Sequence, residues 1–204
     1  MRPGLVIGNG ESRLSLPLAD LVASGAYEVA ACNKAAPDFP GAHHVVCVDD
    51  RMKKWLSARM DPKRVLYRPY QKSGYASGPS ALGLLARLGC PSVLLAGFDV
   101  WWTPHADRRI NNVYKGTEGY TKADSANQNN LAQTEQIAKI MESFPALRVY
   151  QLGVLTLHPS VHPQRKWKGR TVEFLSRIEL ANLTRANGEW LVSVEGGVGC
   201  VPSS

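Results

Sequence analysis

The sequence predicts an α/β protein built on a doubly wound, mostly parallel sheet. Three observations carry that prediction. Short uninterrupted apolar runs recur through the first 153 residues, and runs of about 4–8 apolar residues read as strands buried on both faces, the condition of a parallel sheet. Segments with helical spacing lie between them, and strand–helix alternation folds through right-handed crossovers. The apolar runs also end in polar clusters, and parallel sheets bind ligands just beyond the carboxyl ends of their strands.

The predicted strands, in order, are Leu5–Gly8, Tyr27–Asn33, His43–Asp50, Arg64–Arg68, Ser92–Asp99 and Arg148–Gly153. The predicted helices are Pro17–Ala23, Met52–Met60, Ser80–Leu88 and Asn130–Phe144. Ser77 or Ser80 would cap the third of these and Gly89 would stop it. In the fourth, Leu131, Ile137, Ile140, Met141 and Phe144 recur at near-helical spacing, and Pro145 ends it. Between the last two strands, Val100–Asn130 lacks periodicity and is rich in Asn, Asp, Gly, Thr and Tyr. A loop of that length in a compact domain is usually functional or mobile. The expected organisation is a nucleotide-binding domain over residues 1–153, with residues 154–204 packed on it as a short extension. That extension carries a His/Pro-rich stretch, a helix at Thr171–Leu183 and an edge strand at Trp190–Val194.

At 44% hydrophobic residues the chain has the material for a core, which excludes a largely disordered protein. No run approaches the ~18–20 apolar residues that cross a bilayer. The first residues lack the apolar segment of a signal peptide. Cys32, Cys47, Cys90 and Cys200 form no CxxC pair, and three of them lie in apolar or strand-like runs. Buried thiols of that kind suit a reducing compartment, so a cytoplasmic protein with no membrane association is expected. Lys and Arg number 24 against 17 Asp and Glu, a net +7, which favours a phosphate-bearing partner without choosing between nucleotide, nucleic acid and anionic surface.

The candidate site residues sit at the predicted strand ends. Gly8-Asn9-Gly10 either brings a phosphate or ribose close to backbone N–H groups or forms a tight turn. Ser12 binds a ligand or caps the next helix. Asn33, Asp49 and Asp99 occupy equivalent ends of later strands. Asp49 and Asp50 are the residues available to a divalent ion; equally, one of them could hydrogen-bond a ribose while the other caps the helix beginning near Arg51. Ser77 and Gly78 lie at a helix N terminus, which either holds phosphate or is an ordinary cap. His105, in the long loop, is either a base or a plain solvated loop histidine. Arg165, Lys166, Lys168 and Arg170 surround Trp167 in a segment that either binds nucleic acid or is a solvated loop.

Three stretches carry a resemblance: GNGESRLSL at the first strand, ACN at the second and SGPSALGLLARLGCPSVLLAGFDVWW at the fifth. They resemble the bacterial sialyltransferases that use CMP-sialic acid, and the related Rossmann-type proteins that include archaeal 6-hydroxymethylpterin diphosphokinase. The compact length and the NNVYKGTEGY loop are similar to small phage-type members of that group. The resemblance spans about residues 5–153 and implies a Rossmann-like, single-domain glycosyltransferase. Gly8, Asn9, Gly10, Ser12 and Asn33 would then hold the donor nucleotide, Ser77 and Gly78 would touch its base or sugar edge, and Asp99 would floor the site. Tyr114 and Tyr120 look similar to loop tyrosines that contact the donor phosphate. Where those enzymes carry a catalytic His, this chain has Asn129, an amide that cannot act as a base, so Asp124 or His105 would take that part.

The expected activity is therefore a nucleotide-sugar-dependent glycosyl transfer with no tightly bound cofactor. A hydroxymethylated pyrimidine in DNA is one acceptor, with the protein in the host cytoplasm if phage-encoded. The rivals are a diphosphokinase-like transferase using a divalent metal and a non-catalytic nucleotide or nucleic-acid binding module.

Overall fold

In a computed structural model of the chain, residues 1–70, 74–99, 112–120, 130–152, 179–186 and 189–194 are described. They form one eight-stranded sheet in the order β4-β3-β2-β1-β5-β6-β7-β8. Its strands are β1 Gly4–Ile7, β2 Glu28–Cys32, β3 His44–Cys47, β4 Val65–Tyr67, β5 Ser92–Ala96, β6 Arg148–Leu152, β7 Glu179–Ala186 and β8 Glu189–Val194. Each pair from β4 across to β7 is parallel, and β8 pairs antiparallel with β7. The chain winds outward from β1 through β2 and β3 to β4, then returns to β5 on the other side of β1. This is the doubly wound α/β fold, and its strand order reverses between β1 and β5.

Five α-helices are described: α1 Leu18–Ala23, α2 Ala35–Asp38, α3 Asp50–Ser57, α4 Ser77–Arg87 and α5 Asn130–Ser143. Successive strand residues face opposite sides, and both sides here are apolar. Leu5, Ile7, Val29, Val45 and Leu94 form one layer with Leu18 and Leu21 of α1, Ala35 and Ala36 of α2, and Met52 and Leu56 of α3. Val6, Ala30, Val46, Val93 and Leu95 face the other way, onto Ala81, Leu82 and Leu85 of α4 and Ile137, Ile140 and Met141 of α5. Each of the larger side chains here, Val, Leu, Ile or Met, contributes about 1.5–3 kcal/mol by leaving water. Among the described residues, no helix is long and apolar enough to cross a membrane.

All six strands expected in the first 153 residues are present, each ending one to three residues earlier than expected, and β1 also begins one residue earlier, at Gly4. Among the residues beyond the strand ends are Gly8, Asn33, Asp49 and Asp99 of the candidate site, which leave the ladder. Two expectations need correction. Neither Ser77 nor Ser80 caps α4. Its N-cap is Ala76, whose side chain accepts no hydrogen bond, while Ser77 is its first residue and Ser80 lies fully buried. The helix expected at Thr171–Leu183 is overturned from Glu179 onward, where β7 runs parallel to β6 with Tyr150 opposite Glu179. Pairing on both sides of β7 outweighs the local helical spacing of its apolar residues. The expected edge strand at Trp190–Val194 is β8, so these two strands of the C-terminal extension continue the same sheet.

Candidate functional site

At the β1/β5 switch point the carboxyl ends of four strands surround a cavity of ≈ 560 Å³. Gly8, Asn9 and Gly10 enter from β1, Cys32 and Asn33 from β2, Val48 and Asp49 from β3, and Gly97, Phe98 and Asp99 from β5. Gly74 to Gly78 lead into α4, Ala132, Gln133 and Gln136 belong to α5, and Asn112 and Tyr120 come from the long loop. Segments 90 residues apart in sequence thus share one rim, as a doubly wound sheet requires.

The loops after β1 and β5 are packed backbone to backbone. Gly8 N–H donates to Ala96 O at 2.8 Å and Gly10 N–H to Gly97 O at 2.9 Å. A Cβ on Gly10 would sit 2.3 Å from Asp99 Oδ2, and one on Gly8 would sit 2.5 Å from Gly97 O. These glycines therefore permit close approach of two loops. Their N–H groups are engaged by β5 and do not serve a phosphate. Ser12 N–H donates to Asp99 Oδ2 at 3.1 Å, so Asp99 closes the 3₁₀ turn Glu11–Ser15 from below, and Ser12 lies outside the cavity lining. Burial raises the Asp99 pKa, with the hydrogen bond from the Ser12 N–H pulling the other way. The second carboxylate oxygen, Oδ1, is buried without a partner among the described residues.

Asn33 organises the centre of the site. Its backbone is left-handed, with φ 52°, a conformation that Asn tolerates better than most residues. Its Oδ1 accepts from the Ser77 hydroxyl at 2.9 Å, tying the end of β2 to the start of α4. Its side chain also bonds the Tyr120 phenol, to which Asn9 Nδ2 donates at 2.8 Å. Tyr120 is thereby fixed between two strand ends, and burial raises its pKa so that it stays protonated. Gln136 bridges from α5, accepting from Ala76 N–H at 2.8 Å and donating to Gly74 O at 2.6 Å.

The segment 112–120 straps the rim. Val113 N–H donates to Asn9 O, Lys115 bonds Glu11, and Lys34 Nζ donates to Thr117 Oγ1 at 2.8 Å. Lys34 is buried, with its ammonium 4.9 Å from the centre of the Trp55 ring and 5.8 Å from that of Tyr120. Burial lowers its pKa, partly opposed by Glu118. Tyr114 is turned away from the cavity. Its hydroxyl bonds Asp38 and accepts from Arg13 at 2.6 Å, and burial followed by the Asp38 bond raises its pKa to about 12. Tyr114 is therefore a clasp for Arg13 and Asp38, and of the two loop tyrosines only Tyr120 faces the cavity.

Among the described lining residues the charged side chains are Asp49 and Asp99, and none is cationic. Positive potential comes from helix termini. The N–H groups of Ser77 and Gly78 open α4 and have no acceptor within the helix, and the first turn of α5 lines the same space. Asp49 is exposed, and although it stands at the N-cap of α3 its side chain makes no capping bond, so it is available to a ligand hydroxyl. Asp50 begins α3 and does not line the cavity. Among the described residues no group of three His, Cys, Asp or Glu side chains is arranged to hold a metal ion.

Of the residues expected at a site, Gly8, Asn9, Gly10, Asn33, Asp49, Ser77, Gly78, Asp99 and Tyr120 meet around this cavity. Ser12, Asp50 and Tyr114 do not. His105, Asp124, Arg165, Lys166, Trp167, Lys168 and Arg170 lie outside the described residues. The sequence reading missed Tyr75, Phe98, Asn112, Gln133 and Gln136, which lack any motif. Gln136 was open to notice as a polar residue one position before a core residue of α5, Ile137. Compared with family models, curated proteins and solved structures, the chain matches none.

Proposed function

We propose that the chain is a nucleotide-sugar-dependent glycosyltransferase whose donor nucleotide occupies the cavity at the β1/β5 switch point. The observation that carries this reading is the convergence of four strand ends and two helix N termini on one space of ≈ 560 Å³. That volume lies within the range of about 300–1,000 Å³ typical of small-molecule sites. Amides from Asn9, Asn33, Asn112, Gln133 and Gln136 offer both donors and acceptors, which suits the edges of a base and a sugar. Tyr75 and Phe98 offer apolar faces, and the N–H groups of Ser77 and Gly78 offer a seat for phosphate.

In the transfer, an acceptor oxygen attacks the anomeric carbon, a new C–O bond forms, and the bond from that carbon to the donor phosphate breaks. Negative charge grows on the departing phosphate, where helix-terminal N–H groups are fixed in advance to receive it. The acceptor proton passes to a base, for which Asp124 and His105 remain the candidates. Incubating the protein with CMP-, UDP- and GDP-linked sugars, with hydroxymethylated DNA among the acceptors, tests this by the release of free nucleotide. One donor class should be consumed by the wild type and spared by Asn33→Gly. If no donor is consumed with any acceptor at millimolar concentration, the proposal fails.

A further inference from the structure

We infer that the edge of the sheet formed by α3 and β4 is a docking surface for the phosphate backbone of duplex nucleic acid, separate from the cavity. Between Asp50 and Arg68 the chain carries seven cations, Arg51, Lys53, Lys54, Arg59, Lys63, Arg64 and Arg68, against the two carboxylates Asp50 and Asp61. Seven against two leaves five of the net +7 within 19 residues. The fold gathers them in space: α3 packs on β4, and β4 is the outermost strand. Met52 and Leu56 turn inward, which leaves Arg51, Lys53 and Lys54 exposed on α3, with Lys63 exposed in the turn before β4. None of these four makes an ion pair among the described residues, whereas Arg59 is paired with Glu118.

Three features choose the partner. Lysines on an edge strand itself serve to block sheet-to-sheet pairing, but Arg51, Lys53 and Lys54 belong to the helix, where that need does not arise. Among the described residues, the exposed large hydrophobic residues Met1, Leu14 and Leu88 all lie elsewhere, so the patch has no described apolar wedge to insert into a bilayer. The aromatic rings of the patch are already covered: Arg59 lies 4.3 Å and Lys34 4.9 Å from the Trp55 ring centre, and Lys53 4.8 Å and Arg68 4.7 Å from that of Tyr67. Single-stranded nucleic acid is held by bases stacking on open rings. Here the rings hold cations in place instead, which presents a pre-ordered charge array to a duplex backbone. Asp49, one residue before α3, lines the cavity, so a duplex on this surface passes beside the site mouth.

The surface is read without any donor, so its test is independent of the transferase reading. Fluorescence anisotropy of labelled duplex DNA and duplex RNA is measured with the wild type, the reversal variant Lys53→Glu/Lys54→Glu/Lys63→Glu and the neutral variant Lys53→Gln/Lys54→Gln/Lys63→Gln. Each variant is checked for an unchanged melting temperature. With about four phosphate contacts, wild-type affinity should fall roughly 100-fold between 50 and 200 mM salt. Reversal should weaken binding at least tenfold and flatten that salt dependence, with the neutral variant between the two. The proposal is overturned if the wild type does not bind at 50 mM salt or if reversal changes affinity less than twofold. It is equally overturned if only an Arg165→Ala/Lys166→Ala/Lys168→Ala/Arg170→Ala variant loses binding, or if phosphatidylserine vesicles bind while duplexes do not.

Discussion

At Gly10 a side chain has no room on either side: a Cβ would meet the Asp99 carboxylate at 2.3 Å and the Gly97 carbonyl at 2.6 Å. The neighbour at Gly97 is backbone and cannot step aside, so Gly10→Ala should destabilise the protein by about 1–3 kcal/mol. Thermal denaturation checks this, and an unchanged melting temperature would refute the packing. The sequence showed a Gly-Asn-Gly turn but gave two reasons for it, phosphate approach or a tight turn. The structural reason is a contact with a loop some 90 residues away, which local pattern cannot reveal.

Asp99 adds a pH signature. Its folded pKa is raised by burial, so the stability it contributes is fully present below the ordinary carboxylate range and is lost as pH rises through the raised value. Asp99→Asn keeps an oxygen for the Ser12 N–H and removes the ionisation. Relative to this variant, wild-type stability should fall as pH rises from about 4 to 7. Parallel urea titrations across that range provide the measurement. A constant difference between the two proteins would contradict the assignment.

Among the elements, α4 shows how far sequence signals reach. Its C terminus was legible: Gly89 adopts φ +83°, with Gly89 N–H bonded to Ala86 O and Cys90 N–H to Leu85 O, the paired bonds of a Schellman cap. Its N terminus was not, because Ser77 directs its hydroxyl across to Asn33 and leaves capping undone. Inside the helix, Gly83 lets the Tyr70 ring approach; an added Cβ would lie 2.3 Å from that ring. Helix propensity alone favours Gly83→Ala by about 1 kcal/mol. The clash should reverse that sign and lower the melting temperature, and a raised value would show that Tyr70 moves freely.

The strand pair β7–β8 teaches the converse. Ala186 is opposite Glu189, and the two residues between them are Asn187 and Gly188, the pair most typical of two-residue hairpins. That signal stands in the sequence and outranks the helix expected at Thr171–Leu183. Alternation supports it too, since Ala181 and Leu183 both join the apolar layer beneath the sheet. A helix assignment extended through Leu183 ignored this change of period from near four to two.

Across the whole molecule, the fold was legible because parallel strands buried on both faces leave continuous apolar runs that few other architectures produce. Residues at the ends of those runs were legible as a site for the same reason, since topology alone brings strand ends together at a switch point. Of the cavity residues from α5 and the strap 112–120 only Tyr120 was anticipated, because Gln136 and Lys34 acquire their partners through tertiary contacts. Charge followed a similar course. The net +7 favoured a phosphate-bearing partner without placing it, while the clustering of cations along α3 and β4 emerged only once β4 was seen at the sheet edge.

Nucleotide binding in the switch-point cavity is tested most directly by thermal denaturation of the wild type and Asn33→Gly with CMP, UDP, GDP and ATP. Glycine accepts the left-handed backbone at position 33 while deleting the bonds to Ser77 and Tyr120. One nucleotide, at about 100 times its Kd, should stabilise the wild type by ~2.7 kcal/mol, or roughly 5–10 °C, and leave the variant almost unmoved. Four nucleotides without effect on the wild type, or an equal shift in both proteins, would contradict a nucleotide cradle at this site.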